Sequence, residues 1–253
     1  METMSSISRT QLITVLVLIL VVVGLVVFGG RGKEVSQETG SVVLNIEWPS
    51  TEVKQERVED DTKDYHIAVI YPITQSDTVN AYFKTFADET VVSFKTDLLA
   101  NTVPTEDTAT YQSTLDMSYR KEKHLRADNY IFLTSTDNGG AHGFTTTKTF
   151  SFSKNGTLIG LESLFTNGLA GLETIVPYVR GQLAKQISNA ATQWIEDGTQ
   201  PTADAFASFV VTDEGVTFIF DPYQVASYAE GKQEVAVPLS VFKSIANPEV
   251  FTQ

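Results

Sequence analysis

From Leu12 to Phe28 the chain reads LITVLVLILVVVGLVVF, and Thr14 is its one polar side chain. A helix built from this run has no polar face, so it cannot lie on the surface of a water-soluble core. At a rise of about 1.5 Å per residue it spans about 26 Å, close to a hydrocarbon core of roughly 30 Å. Gly29 and Gly30 extend the run. Two readings fit: an uncleaved signal anchor and a cleaved signal peptide. A signal-peptide core is usually about 7–15 residues and ends in an A-x-A-like site. The weak match at Val27-Phe28-Gly29 and the greater length favour an anchor over residues 12–30. The flanking charges nearly balance, with Arg9 and the α-amino group against Glu2 on one side and Arg31 and Lys33 on the other. Residues 1–11 are too short to fold, so the expectation is a short cytoplasmic tail and an extracytoplasmic bulk.

The acid lies beyond the anchor. The formal net charge is −13, the opposite of the basic footprint that nucleic acid requires. A basic partner is compatible with it. The chain has no cysteine, which excludes disulfides, a thiolate nucleophile and a cysteine-based zinc site.

Residues 31–62 read as a polar stalk, because Ser50 to Asp64 (STEVKQERVEDDTKD) is almost wholly hydrophilic. Val42 to Trp48 could form a short strand inside it. Tyr65 to Ile70 is a strand candidate closed by Tyr71-Pro72. Val79, Phe83, Phe86, Thr90, Phe94 and Leu98 recur at steps of three and four, which predicts a helix with Ser76 or Asp77 at its N-cap. Tyr111 to Arg120 and Tyr130 to Ser135 read as strands. Phe150 and Phe152 alternate with serines and are followed by Asn155-Gly156, a hairpin signal in which both turn residues take positive φ. Asn155 also opens a glycosylation sequon, secondary here to the turn. Leu172, Val176, Val179, Leu183, Ile187, Ala190 and Trp194 form a second helical stripe, and Pro177 predicts that this helix starts or kinks there. Phe206 to Val211 and Val216 to Phe220 flank a Glu214-Gly215 turn. Glu234 to Val237 is a last strand, and Pro238 opens a short helix over Leu239 to Ile245. The order predicts an α+β fold: a mainly antiparallel sheet with two main helices packed on it, preceded by the transmembrane helix.

Chemistry is sparse. His66, His124 and His142 are the three imidazoles, and none sits in an HExxH pattern, so no metal site is expected. There is no GxSxG elbow and no GxxxxGK phosphate loop. His66 and His124 read as structural or solvated. His142 ends a Gly139-Gly140-Ala141-His142 turn. It can serve as a structural pin that bonds backbone carbonyls of two strands. The alternative is a stand-alone envelope hydrolase that uses His142 with nearby carboxylates.

The GGAH turn followed by TFSFSKNGTLIGLESLF, and FIFDPYQVASYAEGKQEVAVPLSVF from Phe218 to Phe242, together resemble the RsiV-like and PdaC-like family of extracytoplasmic domains. YHIAVIYPITQSDTVNAYF resembles that family's N-terminal companion region. The resemblance implies an N-terminal part over residues 63–137 and an RsiV-like C-terminal domain over 138–253. Its motif residues, with structural roles, would be Gly139, Gly140, His142, Asn155, Gly156, Phe165, Pro222, Tyr223, Gly231 and Pro238. It implies binding rather than catalysis and no cofactor. The partner would be a lysozyme-like basic protein or peptidoglycan, with the membrane held through residues 12–30. No individual ligand-binding residue follows from it.

Overall fold

The structure, a computed structural model, describes residues 54–101, 111–140, 142–188 and 192–252. The expected tail, anchor and Val42–Trp48 strand lie outside these residues, and no described helix is long and apolar enough to cross a membrane.

The chain from Lys54 onward is a mixed α+β structure. Strands β1 (Lys54–Asp61), β2 (Tyr65–Ile73), β3 (Ser113–Lys123), β4 (Ala127–Asp137) and β5 (Phe144–Ser153) form one sheet in that order. All its pairings are antiparallel except β2 with β3. Between those two runs helix α1 (Asp77–Asn101), as a parallel pair requires a crossover. The Ser76 hydroxyl accepts from the Val79 N–H at 3.3 Å, capping the helix as expected. Val79, Phe83 and Phe94 of α1 are buried against Ile67 and Val69 of β2, Leu115 and Met117 of β3, and Tyr130 and Phe132 of β4. Phe83 is fully buried, with its ring 4.6 Å from Tyr130 and 5.4 Å from Phe132.

Part of the expected stalk is instead an edge strand. Residues 54–61 pair along β2, from Lys54 opposite Ile73 to Asp61 opposite His66. Their hydrophilicity misleads because an edge strand needs only its backbone paired, and charge on such a strand discourages pairing with other chains. Val58 packs on the core, while Lys95 of α1 reaches Asp60 at 2.6 Å.

The second layer is built from α2 (Leu172–Gln186), α3 (Thr192–Gly198) and a three-stranded antiparallel sheet of β6 (Phe209–Val211), β7 (Gly215–Phe220) and β8 (Gln233–Pro238). Two short helices follow, α4 (Leu239–Phe242) and α5 (Pro248–Phe251). α2 starts five residues before Pro177, not at it, because Leu172, Ile175 and Val176 are buried there. The predicted continuous helix stops at Gln186, where Ile187 turns extended at φ −89° and ψ 117°. Pro238 precedes a helix shorter than expected, which ends at Phe242.

The Asn155-Gly156 hairpin is present but differs from its prediction. Gly156 has φ 84°, and it is the turn's one residue at positive φ. The Gly156 N–H donates to Ser153 O and the Ser153 N–H to Thr157 O, the pattern of a three-residue loop rather than a two-residue turn. The Asn155 side chain accepts from the Thr157 N–H at 3.1 Å.

The two sheets are joined by polar side chains of β4 and β5. The Asn129 amide donates to Val211 O at 2.9 Å, and its oxygen accepts from the Val211 N–H at 3.1 Å and the Ser151 hydroxyl at 2.7 Å. Thr149 Oγ1 accepts from the Phe209 N–H, and the Ser208 hydroxyl donates to Thr147 O. Beside them Ile131, Val210 and Ile219 form a small apolar cluster. Tyr130 and Phe132 face α1 while Asn129 and Ile131 face the second sheet, so β4 is buried on both sides.

Candidate binding site

Several motif residues converge at one end of β5. Asp137 ends β4, and its carboxylate accepts from the Gly139 N–H at 2.9 Å. Gly139 has φ 78°, and a Cβ there would press on the Tyr111 ring at 3.0 Å; both facts favour glycine. This turn presents His142 to solvent. Its Nδ1 lies 2.9 Å from Gly143 O, and its Nε2 lies 3.2 Å from the Tyr223 hydroxyl. Nδ1–H therefore donates to the carbonyl and Nε2 accepts from the phenol, an assignment made by the hydrogen-bond network.

The imidazole also stacks on Tyr228, with centroids 4.0 Å apart and planes at 17°. Tyr223 lies 6.3 Å from His142 and 5.5 Å from Tyr228. His142 thus ties the β4–β5 turn to the loop after β7, rather than joining two strands through their carbonyls.

The loop after β7 is tightly held. The Trp194 indole N–H of α3 donates to Tyr223 O at 2.9 Å. The Gln224 side chain donates to Gly198 O and Ala205 O at 3.1 and 2.8 Å. A Cβ at Gly198 would sit 2.0 Å from Gln224 O, so only glycine allows this approach. Asp221 anchors the loop to β5 by accepting from the Thr147 N–H at 2.8 Å. Between these supports Tyr223 holds φ 71°, the one non-glycine residue at positive φ among those described.

Gly231 closes the short turn that carries Tyr228, its N–H donating to Tyr228 O at 3.0 Å. Gly140 lies exposed in the His142 turn, and Pro222 directly precedes Tyr223. The remaining motif residues lie elsewhere. Phe165 is buried edge-on to Phe242 at 5.7 Å, Asn155 and Gly156 form the opposite hairpin, and Pro238 ends β8. Sequence reasoning missed Tyr228 and Trp194 as site residues. Its spacing puts Trp194 on the second helical stripe, yet it is 37% exposed.

Both ring nitrogens of His142 are engaged, one by a carbonyl and one by a phenol. Among the described residues no group of three or more His, Asp or Glu could hold a metal ion. His66 lies near Asp61, and His124 near Glu122 and Asp213, all at 3.8–3.9 Å on the surface. A separate open cleft of about 500 Å³ between α1 and β5 is lined by Tyr82, Phe86, Glu89, Lys148 and Phe150 and holds none of the motif residues.

Residues 162–240 match the family described as a protein of unknown function, DUF3298. The match spans Trp194, Tyr223, Tyr228 and Gly231 and begins after the His142 turn. The chain is 27% identical over 241 residues to the peptidoglycan-N-acetylmuramic acid deacetylase PdaC of Bacillus subtilis, covering 94% of this chain and 50% of that protein. It is 31% identical over 108 residues to the immunogenic protein MPT64 of Mycobacterium tuberculosis, covering 42% of this chain and 46% of that one. An esterase of the same organism is 29% identical over 111 residues, 44% of this chain and 48% of its own. The chain thus spans about half the length of the curated relatives it matches. Among solved structures it is similar to a DUF3298 family protein from Pseudomonas aeruginosa, with a TM-score of 0.49 and 15% identity over 79% of this chain and 97% of that one. A Bacteroides fragilis member gives a TM-score of 0.48 and 14% identity over 78% of this chain and 96% of its own. The chain is thus similar to the DUF3298 family over residues 162–240 and to PdaC over most of its own length.

Proposed function

We propose that this chain is a non-catalytic binding module of the bacterial cell envelope, anchored in the membrane by residues 12–30 with its folded part outside. The observation that supports binding over catalysis is the state of His142: both nitrogens are spent on Gly143 O and the Tyr223 hydroxyl, and its ring is stacked on Tyr228. An acid–base histidine acts on the group that its nitrogen hydrogen-bonds, and here that group is a phenol whose ring belongs to the same aromatic cluster. The relative PdaC is named for an activity on peptidoglycan, which supports cell-wall material as the partner class. The net charge of −13 keeps a lysozyme-like basic protein as the other. Co-sedimentation of the full-length chain with purified peptidoglycan, beside titration with lysozyme at low and high salt, tests this. Salt-insensitive sedimentation is expected for the wall, and steep loss with salt for the basic protein. Binding to neither removes the reading.

A second reading is an envelope hydrolase using His142 with a nearby carboxylate, favoured by the relative named an esterase. Turnover of a chromogenic ester by the full chain, abolished in His142→Ala with the fold intact, would establish it.

A further inference from the structure

Resting on the binding-module reading, we propose that Tyr223, Tyr228 and His142, flanked by Trp194, form a stacking platform for an uncharged sugar ring of a glycan. The rings come from three separate parts of the chain: the β4–β5 turn, the loops around β7 and β8, and α3. Tyr223, Tyr228 and Trp194 are 44%, 39% and 37% exposed. Aromatic side chains of this size normally bury themselves, so their gathering at one surface calls for a ligand.

The platform is set before any ligand arrives. Trp194 holds the Tyr223 carbonyl, the Tyr223 hydroxyl holds His142, and His142 lies on Tyr228. Such fixing removes the ordering cost of binding. Tyr223 is also kept in a backbone conformation that bulky residues avoid. Tyr223 is not part of either apolar core, so core packing does not account for that strain, and strain of this kind gathers at functional positions.

The ring geometry selects the ligand class. The three planes lie within 33° of one another. Tyr228 lies face to face with the imidazole and Tyr223 meets it through its hydroxyl, so the rings form a layered stack of near-parallel faces, not the box of converging faces that encloses an ammonium group. Phenol and indole rings offer an apolar face with a polar rim, which matches a pyranose: C–H groups on its face and hydroxyls at its edge. Asp137, Asp221 and Glu230 flank the ring-bearing residues in these loops, and the one cation among them, Lys232, is paired with Glu234 at 2.8 Å, so the balance of charge disfavours a phosphate or carboxylate ligand.

The test uses the full-length chain in a detergent without a sugar headgroup, carrying Trp48→Phe so that Trp194 is the sole tryptophan. Titration with chitotetraose should shift Trp194 emission saturably. Tyr228→Ala and Tyr223→Ala should each weaken binding at least tenfold, while Tyr228→Phe retains it and Tyr82→Ala, an exposed aromatic elsewhere, changes nothing. Tyr223→Gly should lose binding yet melt no lower than its parent, which separates a binding role from a folding role. Two results overturn the proposal: no response to chitotetraose, or undiminished binding by both alanine variants. If the chain still sediments with peptidoglycan in either case, only the platform is refuted and the binding-module reading stands; if it also fails with peptidoglycan and lysozyme, that reading falls as well. A response to arginine amide in place of chitotetraose makes the cluster a cation site and equally refutes the platform.

Discussion

Asn129 and Val211, 82 residues apart, exchange two hydrogen bonds, the amide of one closing on the backbone N–H and C=O of the other. The side chain acts as one extra rung between two sheets. Asn129 is fully buried, so Asn129→Ala leaves both Val211 groups unpaired away from water. The expected loss is about 2–4 kcal/mol, or a melting temperature lower by roughly 5–15 °C for a chain of this size. Calorimetry on the two proteins checks it. Asn129→Asp sets a buried carboxylate against Val211 O and should cost at least as much at neutral pH, with partial recovery on acidification as the carboxyl regains a donor.

The acid limb of stability should pass through Asp128. Burial alone would raise its carboxyl, but hydrogen bonds from Lys121 and Lys154 outweigh that and hold it below the ordinary 3.8. A depressed carboxyl contributes stability in full above its unfolded value, and that stability is lost as pH falls through the folded value. Asp60 is lowered too, by hydrogen bonds from Lys95 and Tyr65. Asp128→Asn should therefore reduce, without abolishing, the loss of stability below about pH 4. Urea unfolding at a series of pH values measures the difference.

Gly198→Ala tests the support of the Tyr223 loop. The new methyl would meet Gln224 O at 2.0 Å, and backbone must move to admit it. Destabilisation of about 2–4 kcal/mol is expected, with a change in Trp194 emission as its hydrogen bond to Tyr223 is displaced. An unchanged spectrum would show that the loop tolerates the shift.

Phe83→Ala opens the centre of the first core. The ring is fully buried and touches Tyr130, Phe132, Phe150 and Phe152. A loss of about 3–5 kcal/mol is expected, read as a lower urea midpoint.

The apolar half of this architecture is plain in the sequence. The α1 stripe, the β6–β7 hairpin and the strand at Tyr65 each follow a period that burial enforces. The join between the sheets is not. In β5, Thr147, Thr149 and Ser151 alternate with larger residues as a solvent face would, yet all three are buried: the Thr149 hydroxyl accepts from the Phe209 N–H, the Thr147 carbonyl accepts from the Ser208 hydroxyl, and the Ser151 hydroxyl donates to Asn129, which itself bonds Val211. Local pattern cannot distinguish a hydroxyl facing water from one facing a distant backbone. Trp194 failed for a related reason. Its helical spacing from Leu172 persists in the letters, but the chain leaves the helix at Ile187, and a period carries no meaning across a break. His142 and Tyr223 were visible as motif letters, whereas their contact spans 81 positions and belongs to the tertiary fold.

β1 has a mechanical consequence. The chain joins the sheet at Lys54, opposite Ile73, and the next seven pairings run from there toward the turn at Asp61. Tension arriving from the N-terminal side therefore loads the Lys54–Ile73 rung first and can peel β1 rung by rung. Most of its side chains are solvent-facing, so detachment strips little from the core. Were the chain held from that side, β1 would be the first element to release, and the apolar cores behind it would stay closed.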